Sequence, residues 1–352
     1  MTSATLHRRA PSPRSVSNGR EPEGRAPVVS VVIPTFHRLA LLQRCLDGLL
    51  AQDFDLRRCE VIVVDDGHDD AVRNRIDALG STCRNGPVIR YLRPHAGRGP
   101  AVARNCGWRA ARAALIAFTD DDTLPQPAWL SEGVAAMAEH TDWSALCGRI
   151  DVPRLHPGRP TDHELMTIGL ESAQFATANA FVRRDALAHI GGFDESFTRA
   201  WREDSDLQFR LMDRVGPVGE CKGAVVLHPV RAEGWGVCLR QQRNSFFEAL
   251  LYKKHPRLYR ARIRALPPWN YYLIVGMTLA APLLLWAGAA SAAVTAALLV
   301  VALWLQLGLA RLRHTALGPA HVVEMLVTSA LIPFLSVYWR LRGAIRFRVL
   351  FL

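Results

Sequence analysis

The chain has 352 residues, of which 49% are hydrophobic and 21% are charged, and its net charge is +11. This length allows a large core and more than one domain, and the composition excludes a wholly disordered chain. The charge is uneven, because residues 27–230 have a net charge of −4 whereas residues 231–270 and 311–352 have +7 and +5. A nucleic-acid-binding domain needs its basic patch on the folded module, so we predict no nucleic-acid partner.

The N-terminal segment and the cysteines indicate neither secretion nor a zinc site. Residues 1–26 are rich in Arg, Ser and Pro and lack the apolar segment of a signal peptide, so we predict a disordered arm. The 7 cysteines are scattered and form no CxxC pair. This pattern predicts neither bound zinc nor a disulfide framework.

From residue 27 onward, the pattern predicts strands that alternate with helices. The strand segments are continuous apolar runs, as expected for parallel strands that are buried on both faces. The predicted strands are 27–35, 60–68, 88–92 and 115–123, and the predicted helices are 38–51, 70–79 and 100–114. This order predicts an α/β fold over residues 27–230, with a doubly wound and mainly parallel sheet.

Acidic side chains follow two of the predicted strands. Asp65 and Asp66 end one strand, and Asp120, Asp121 and Asp122 end another. Five carboxylates at one sheet edge require a cation or hydrogen-bond donors to offset their repulsion. Alternate side chains of an extended segment point the same way, so Asp120 and Asp122 can share one divalent ion. The alternative is a solvated acidic turn.

A long uncharged block near the C-terminus predicts a membrane anchor. Residues 265–310 contain no charged side chain. A single helix over residues 271–310 would be about 60 Å long, roughly twice the thickness of a bilayer core. We therefore predict a hairpin of two membrane helices near 271–289 and 292–310, within the segment 271–310. A pair of buried helices in a soluble protein is the alternative.

Two further segments are predicted to lie at the membrane surface. Residues 231–270 combine clustered Phe and Leu side chains with alternating arginines, which predicts a basic amphipathic segment on an anionic leaflet. Residues 311–352 contain a weaker apolar stretch, 322–339, followed by four arginines. We favour an interfacial or re-entrant helix there, because this keeps the arginines on the cytoplasmic side, but a third membrane helix remains open.

Six segments resemble, in order and spacing, the motifs of family 2 inverting glycosyltransferases of the GT-A fold. They are Val31–Leu39, Val63–His68, Ala103–Cys106, Phe118–Ala128, Ala178–Ala188 with Ile190–Thr198, and Arg202–Met212. The resemblance covers about residues 28–250, and a membrane-anchored C-terminus is also similar to members of that family. Processive relatives carry a Q-x-x-R-W signature, whereas this chain has RQQRNS at residues 240–245. The resemblance therefore implies single addition of a sugar.

On the donor side, the resemblance implies a nucleotide-sugar site that uses Mg²⁺ or Mn²⁺. Asp66 would accept a hydrogen bond from the base, Arg104 would face the diphosphate, and Asp120 would lie near the ribose. Asp122 would bind the metal, with contributions from Asp120 and from His228 after a later strand. The residues implied to border the nucleotide are Pro34, Thr35 and Arg38.

On the acceptor side, the resemblance implies a general base at the start of a helix. Asp204 matches the base that takes the proton of the acceptor hydroxyl, and Glu203 would orient the acceptor. The alternative is that both carboxylates only stabilise the N-terminus of this helix, through its dipole. Trp201 is predicted either to stack on an acceptor sugar or to belong to the core.

The predicted function is thus sugar transfer from a nucleotide-diphosphate donor to a hydroxyl or phosphate of a lipid-linked or membrane-proximal glycan. The predicted location is the cell membrane, with several membrane helices and a cytoplasmic catalytic domain. A nucleotidyltransferase and a non-catalytic membrane scaffold are the alternatives. A dehydrogenase is excluded because no GxGxxG motif follows the first strand.

Overall fold

The computed structural model describes residues 26–83, 86–155 and 158–352, so the predicted arm lies outside the described residues except for Ala26. Eight strands form one sheet. In chain order they are β1 (Val29–Thr35), β2 (Cys59–Asp65), β3 (Val88–Leu92), β4 (Leu115–Thr119), β5 (Leu124–Pro125), β6 (Ala145–Asp151), β7 (Asn179–Arg183) and β8 (Val218–Leu227).

Thirteen α-helices lie in the described ranges. Those between the strands are α1 (Leu39–Leu50), α2 (Asp70–Thr82), α3 (Pro100–Ala110), α4 (Trp129–Glu139), α5 (Asp162–Ile168), α6 (Arg184–Ile190) and α7 (Glu203–Arg214). Those that follow the sheet are α8 (Val237–Gln241), α9 (Ser245–Lys254), α10 (Pro256–Arg262), α11 (Trp269–Trp286), α12 (Ala290–Leu312) and α13 (Pro319–Phe347).

The sheet has the order β3-β2-β1-β4-β7-β6-β8-β5. The pairs β1–β2, β1–β4, β2–β3 and β6–β8 are parallel, whereas β7 runs antiparallel to both β4 and β6. Because two reversals restore the direction, β6 and β8 run the same way as β1 to β4. The predicted α/β fold with a mainly parallel sheet is confirmed.

Apolar layers cover both faces of the sheet, as the continuous apolar runs predict. In β1, Val31 and Ile33 pack into one buried cluster and Val32 packs into the cluster on the opposite face. Two predicted strands are too long, because β2 ends at Asp65 and β4 ends at Thr119. The Asp65 carboxylate accepts hydrogen bonds from the backbone N–H groups of Gly67 and Asp69, which closes a turn and ends β2.

Three helices in the described part of the chain are long and apolar enough to cross a membrane. They are α11, α12 and α13, with 18, 23 and 29 residues. The first two pack against each other as the predicted hairpin, and their surfaces expose large apolar side chains such as Trp286, which is 90% exposed. The third is one continuous helix, longer than the predicted 322–339. The C-terminal helical region makes this a membrane-associated protein.

The basic segment packs differently from its prediction. The apolar side chains of α9 that we expected on a leaflet instead fill a protein core, in which Phe247, Leu250 and Leu251 contact Phe197 and Phe209 of the sheet domain. They are buried because α9 lies between the sheet domain and α13. The arginines of this segment remain at the surface, where Arg257, Arg262 and Arg264 are exposed.

Candidate active site

The fold brings the predicted site residues to one edge of the sheet. Because β1, β2, β4, β6 and β8 share one direction, their C-terminal ends all lie at this edge. The antiparallel strand β7 begins at the same edge, two residues after Thr177. The helix α7, which begins with Glu203 and Asp204, also presents its N-terminus there, since the Asp204 carboxylate contacts Thr177.

The acidic segment after β4 forms a tight turn, which corrects the expectation of an extended D-x-D segment. The backbone N–H of Thr123 donates to the carbonyl of Asp120 over 3.2 Å. The turn still brings Asp120 and Asp122 together, and His228 after β8 joins them. One ligand atom from each of these three residues lies within 4.8 Å of the other two.

The donor set of this cluster fits a divalent cation. His228 Nε2 lies 3.6 Å from Asp122 Oδ1, and His228 Nδ1 is buried without a hydrogen-bond partner among the described residues. Arg231 Nε lies 3.1 Å from the other oxygen, Asp122 Oδ2, and so places a positive charge beside the cluster. Two carboxylates with an adjacent imidazole suit Mn²⁺, because Mg²⁺ prefers an all-oxygen shell.

The middle carboxylate, Asp121, holds the loop after β1. It accepts hydrogen bonds from Thr35 Oγ1 over 2.7 Å and from Arg38 Nη1 over 3.3 Å. Burial raises the pKa of Asp121 to about 6, and the hydrogen bond from Thr35 opposes that rise. Thr35 is buried and Pro34 is half-buried. Asp121 therefore fixes the loop that is predicted to border the nucleotide.

Asp66 presents one free acceptor atom at the same edge. Its Oδ2 accepts a hydrogen bond from the backbone N–H of Gly99 over 2.8 Å, whereas its Oδ1 is buried and has no partner in the described ranges. Gly99 has a φ of +107°, and a Cβ added there would lie 2.9 Å from the carbonyl oxygen of Thr198. The glycine therefore permits the close approach that orients Asp66.

Arg104 bridges two carboxylates across the site. It is 3% exposed, and its guanidinium contacts Asp120 over 2.7 Å and Glu203 over 3.1 Å. Both contacts are charge-assisted, so the arginine joins the turn after β4 to the start of α7. In this arrangement Arg104 neutralises buried acids, and its predicted contact with a diphosphate stays a prediction.

The two carboxylates at the start of α7 have different surroundings. Glu203 is 2% exposed and pairs with Arg104, whereas Asp204 is half-buried. Asp204 Oδ1 accepts from the Thr177 hydroxyl over 2.7 Å, and its Oδ2 accepts from the Thr177 backbone N–H over 3.1 Å. Burial raises the pKa of each acid, and the charge of Asp204 raises that of Glu203 further. Of the two, only Asp204 is open to a ligand.

Comparison with known proteins identifies this domain. The family described as Glycosyl transferase family 2 matches residues 30–204. These residues form a family 2 glycosyltransferase domain. The match ends at Asp204 and so includes the whole site edge up to the start of α7. The predicted membership of that family is confirmed.

Several curated glycosyltransferases are similar in sequence. Validoxylamine A glucosyltransferase of Streptomyces hygroscopicus subsp. jinggangensis is 30% identical over 246 residues, which are 60% of this chain and 55% of that protein. Glycosyltransferase AglE of Haloferax volcanii is 27% identical over 174 residues, or 47% of this chain and 56% of that protein. The chain thus spans about half the length of these relatives.

A solved structure shows the same fold. Mannosyltransferase PcManGT from Pyrobaculum calidifontis, in complex with GDP-Man and Mn²⁺, superposes with a TM-score of 0.57 at 18% identity. The superposition covers 90% of this chain and 88% of that one. The predicted GT-A-type architecture of the glycosyltransferase domain is confirmed.

The membrane-proximal helix α9 contacts the loop that precedes α7 of the glycosyltransferase domain. Its buried Glu248 accepts hydrogen bonds from Trp201 Nε1 and Arg202 Nε, each over 2.8 Å, and from the Tyr259 hydroxyl over 2.6 Å. Burial acts to raise the pKa of Glu248, but the Arg202 charge and these hydrogen bonds outweigh it and lower the pKa. Arg202 has a φ of +74°, so this contact holds a strained residue directly before Glu203.

The same contacts define the surroundings of Trp201. The indole N–H donates a hydrogen bond to Glu248, and the Arg202 guanidinium lies 4.9 Å from the ring centroid. The ring is half-buried in the contact between the α7 loop and α9. Stacking on an acceptor sugar stays a prediction for the part of the ring that remains accessible.

A second set of charges joins α7 to the membrane-proximal segment. Asp206 lies within 3.0 Å of Lys254 and His255 from α9 and its C-terminal cap, and within 2.8 Å of Arg210. Burial acts to raise the pKa of Asp206, but the His255 hydrogen bond and the charges of Arg210 and Lys254 lower it to about 2. Sequence reasoning missed Glu248 and the contacts of Asp206 with Lys254 and His255, because these partners lie far away in the sequence.

A cavity of about 230 Å³ lies where the glycosyltransferase domain meets the helices that follow it. Its lining includes Arg231, which also contacts Asp122, and side chains of α5 and α13 such as His163 and Glu324. Trp235 contributes to the wall and is 56% exposed. The cavity thus connects the carboxylate–histidine cluster with the membrane-associated part of the protein.

Proposed function

We propose that this protein transfers a single sugar, with inversion, from a nucleoside diphosphate sugar to a hydroxyl of a membrane-proximal or lipid-linked glycan. The observation that carries the proposal is the arrangement of Asp204. It is the accessible carboxylate of the α7 pair, and Thr177 fixes both of its oxygens. The carboxylate–histidine cluster lies at the same edge of the sheet.

The donor binds on the β1–β4 side of this edge. The free Oδ1 of Asp66 is a buried acceptor, which suits an N–H group of the nucleotide base. The loop of Pro34, Thr35 and Arg38, held by Asp121, borders the nucleotide. Asp120, Asp122 and His228 would hold a Mg²⁺ or Mn²⁺ ion, which would supply positive charge for the leaving diphosphate. The His228 ligand favours Mn²⁺.

Asp204 acts as the general base in this proposal. It takes the proton of the acceptor hydroxyl while that oxygen forms a bond to the anomeric carbon, and the bonding pair of the broken C–O bond goes to the nucleoside diphosphate. Burial keeps the pKa of Asp204 above its usual range, which strengthens it as a base while Thr177 keeps it oriented. Glu203 is committed to Arg104 and positions the start of α7.

The same site distinguishes a hydroxyl acceptor from a phosphate acceptor. A phosphate monoester is already ionised near neutral pH and needs no base to attack. It would also be repelled by Asp204, whose charge is not neutralised by a direct salt bridge within the described residues. We therefore favour a hydroxyl over a phosphate as the attacking group.

The acceptor enters by the cavity beside Arg231. This cavity is lined by both the glycosyltransferase domain and α13, so a glycan attached to a lipid reaches it from the membrane. Its charged lining, which includes Asp162, His163 and Glu233, suits the hydroxyl groups of a sugar. Trp235, which is 56% exposed, is the tryptophan in the wall of this cavity.

The contacts of α13 support its placement in the plane of the membrane surface. Near its start, Glu324 accepts a hydrogen bond from the Gly236 N–H over 2.7 Å, and near its end the Phe347 ring lies 4.9 Å from that of Phe246. These two positions of α13 are about 35 Å apart along the helix, more than a bilayer core of about 30 Å. Both nevertheless contact the segment of α8 and α9, so α13 lies along the protein and only α11 and α12 cross.

This topology places the glycosyltransferase domain and the C-terminus on the cytoplasmic side. A protease added to sealed right-side-out and inside-out vesicles tests it with tags at the C-terminus and in the loop between α11 and α12. In right-side-out vesicles we expect cleavage of the loop tag and protection of the C-terminal tag. In inside-out vesicles we expect the reverse. Cleavage of the two tags from the same side would show that α13 crosses the membrane.

The activity itself is tested with purified full-length protein and native membrane lipid extract. A panel of nucleotide sugars is scored for release of nucleoside diphosphate with Mn²⁺ and with Mg²⁺, and product anomers are assigned by NMR. We expect release of nucleoside diphosphate with an inverted anomeric centre. Release of a sugar 1-phosphate would instead indicate nucleotidyl transfer, and binding without turnover of any donor would favour a scaffold.

A further inference from the structure

Two polar side chains lack partners where α13 meets the start of α11. Arg340 of α13 is only 4% exposed, and its Nε and Nη1 atoms are buried without a hydrogen-bond partner in the described part of the chain. The hydroxyl of Tyr272 in α11 is also buried without a partner there. The helices α11 and α13, which carry these two groups, pack against each other.

The surroundings of Arg340 leave its charge uncompensated. No carboxylate of the described residues lies within 4.0 Å of its guanidinium, although 22 pairs of an acidic group with an Arg, Lys or His lie within that distance elsewhere. The guanidinium carbon lies 5.0 Å from the ring centroid of Phe351, which is a cation–π contact. The ring offers no acceptor atom to the N–H groups in the plane of the guanidinium. A buried cation without a counter-charge destabilises the fold, so this position indicates a missing anion.

The missing partner must be an acceptor for several donors at once. Arg340 offers two buried N–H groups, and Tyr272 offers an O–H, so all three unpartnered atoms are donors. A guanidinium binds phosphate oxygens in pairs, and a phosphate has further oxygens for the Tyr272 hydroxyl. A single phosphate group therefore satisfies the whole set.

The place of these residues selects the source of the phosphate. Tyr272 lies in the first turn of a candidate membrane helix, and its ring is 6.0 Å from that of Trp269, the first residue of α11. Aromatic side chains at the end of a membrane helix mark the level of lipid headgroups. We propose that Arg340 and Tyr272 form a binding site for the phosphate group of a membrane lipid.

The site does not depend on sugar transfer, because it uses none of the residues assigned to the donor or the base. It joins the base of the hairpin to α13, since the two donors come from α11 and α13. The lipid phosphate thereby replaces the internal carboxylate that the other buried arginines have, such as Asp206 for Arg210.

The test compares full-length wild-type protein with three variants in nanodiscs. The variants are Arg340→Gln, Tyr272→Phe, and Arg346→Gln as the control, since Arg346 is an exposed arginine of the same helix. The probes are phosphatidylcholine alone, phosphatidylcholine with phosphatidylglycerol, and inorganic phosphate. The readouts are the thermal unfolding midpoint and the lipid retained in native mass spectrometry after detergent extraction.

We expect phosphatidylglycerol to raise the midpoint of the wild type and of Arg346→Gln, with retained lipid in both. Arg340→Gln is expected to reduce lipid retention about tenfold or more, because two charge-assisted hydrogen bonds are lost. Tyr272→Phe is expected to reduce it several-fold, and it decides the test if Arg340→Gln fails to fold. Equal retention in the wild type, Arg340→Gln and Tyr272→Phe would overturn the proposal. Equal stabilisation by inorganic phosphate would overturn the assignment to a lipid.

Discussion

The two halves of the glycosyltransferase domain are built in different ways. In the donor half, β1 to β4 are parallel neighbours, and Asp66 and the carboxylates after β4 lie where strands end. In the acceptor half, Thr177 before β7 holds the Asp204 carboxylate, and Glu248 of α9 holds Arg202 directly before α7. The backbone positions the donor residues, whereas long-range side-chain contacts position the base.

The difference has a consequence for function. Charged contacts to Asp206 of α7 come from α9 and its C-terminal cap, and α9 packs against α13. Changes in the membrane-proximal helices should therefore alter the acceptor half and leave donor binding intact. The predictions below separate the two halves by measuring donor binding and turnover independently.

The largest effect is expected for Asp204→Asn. It removes the base, while the amide oxygen can still accept from the Thr177 backbone N–H and the amide N–H can donate to the Thr177 hydroxyl. We therefore expect kcat to fall by about 10³-fold while donor affinity changes less than about twofold. Asp213→Asn, at an exposed position of α7, is the matched control. Steady-state turnover and calorimetric donor binding are the measurements. A variant that retains a tenth of wild-type kcat would exclude Asp204 as the base.

The next effect is expected in the donor half. Asp122→Asn removes one charged ligand from the carboxylate–histidine cluster, so turnover should fall by about 10²-fold. A higher Mn²⁺ concentration should also be needed for half-maximal donor binding. Donor binding is titrated against Mn²⁺, with the exposed Asp142→Asn as control. An unchanged Mn²⁺ dependence would contradict metal binding at this cluster.

A smaller effect is expected from the membrane-proximal side. Glu248→Gln keeps the shape of the side chain but removes the charge that pairs with Arg202. The strained residue before Glu203 loses its support, so kcat should fall about tenfold while the donor KM stays constant. The control is Glu139→Gln on the exposed face of α4. A higher donor KM at constant kcat would place Glu248 in the donor half instead.

The smallest effect is expected for Thr177→Val, measured as a pH profile. The Thr177 hydroxyl lowers the pKa of Asp204, so its removal should raise that pKa. A base is active when deprotonated, so the acidic limb of kcat should move to higher pH, and the rate should fall more at pH 6 than at pH 8. Thr167→Val is the control. A shift of the acidic limb to lower pH would contradict the role of this hydrogen bond.

The sequence predicts the donor half well because its structure is locally encoded. Continuous apolar runs mark β1, β2 and β4, and acids after them mark the site edge. The errors are at strand ends, where side chains change the local backbone. The Asp65 carboxylate closes a turn, and the carbonyl of Asp120 accepts from Thr123, so both strands end earlier than apolar periodicity predicts.

The acceptor half is less predictable because its contacts join residues far apart in the sequence. Glu248 is 46 residues from Arg202, and no local pattern connects them. A carboxylate within the apolar run FFEALLY is the one signal, since a buried acid requires donors. Arg231 was also missed, although it follows His228 by only three residues.

The ion pair between Arg231 and Asp122 has a thermodynamic consequence for metal binding. A divalent ion that coordinates Asp122 Oδ2 competes with the guanidinium 3.1 Å from that atom. Part of the binding free energy of the ion is then used to break this pair, and the apparent metal affinity is lower than the cluster alone would give. A diphosphate that attracts the released arginine restores that free energy. We therefore expect metal and donor to bind with positive cooperativity, each with a lower affinity in the absence of the other.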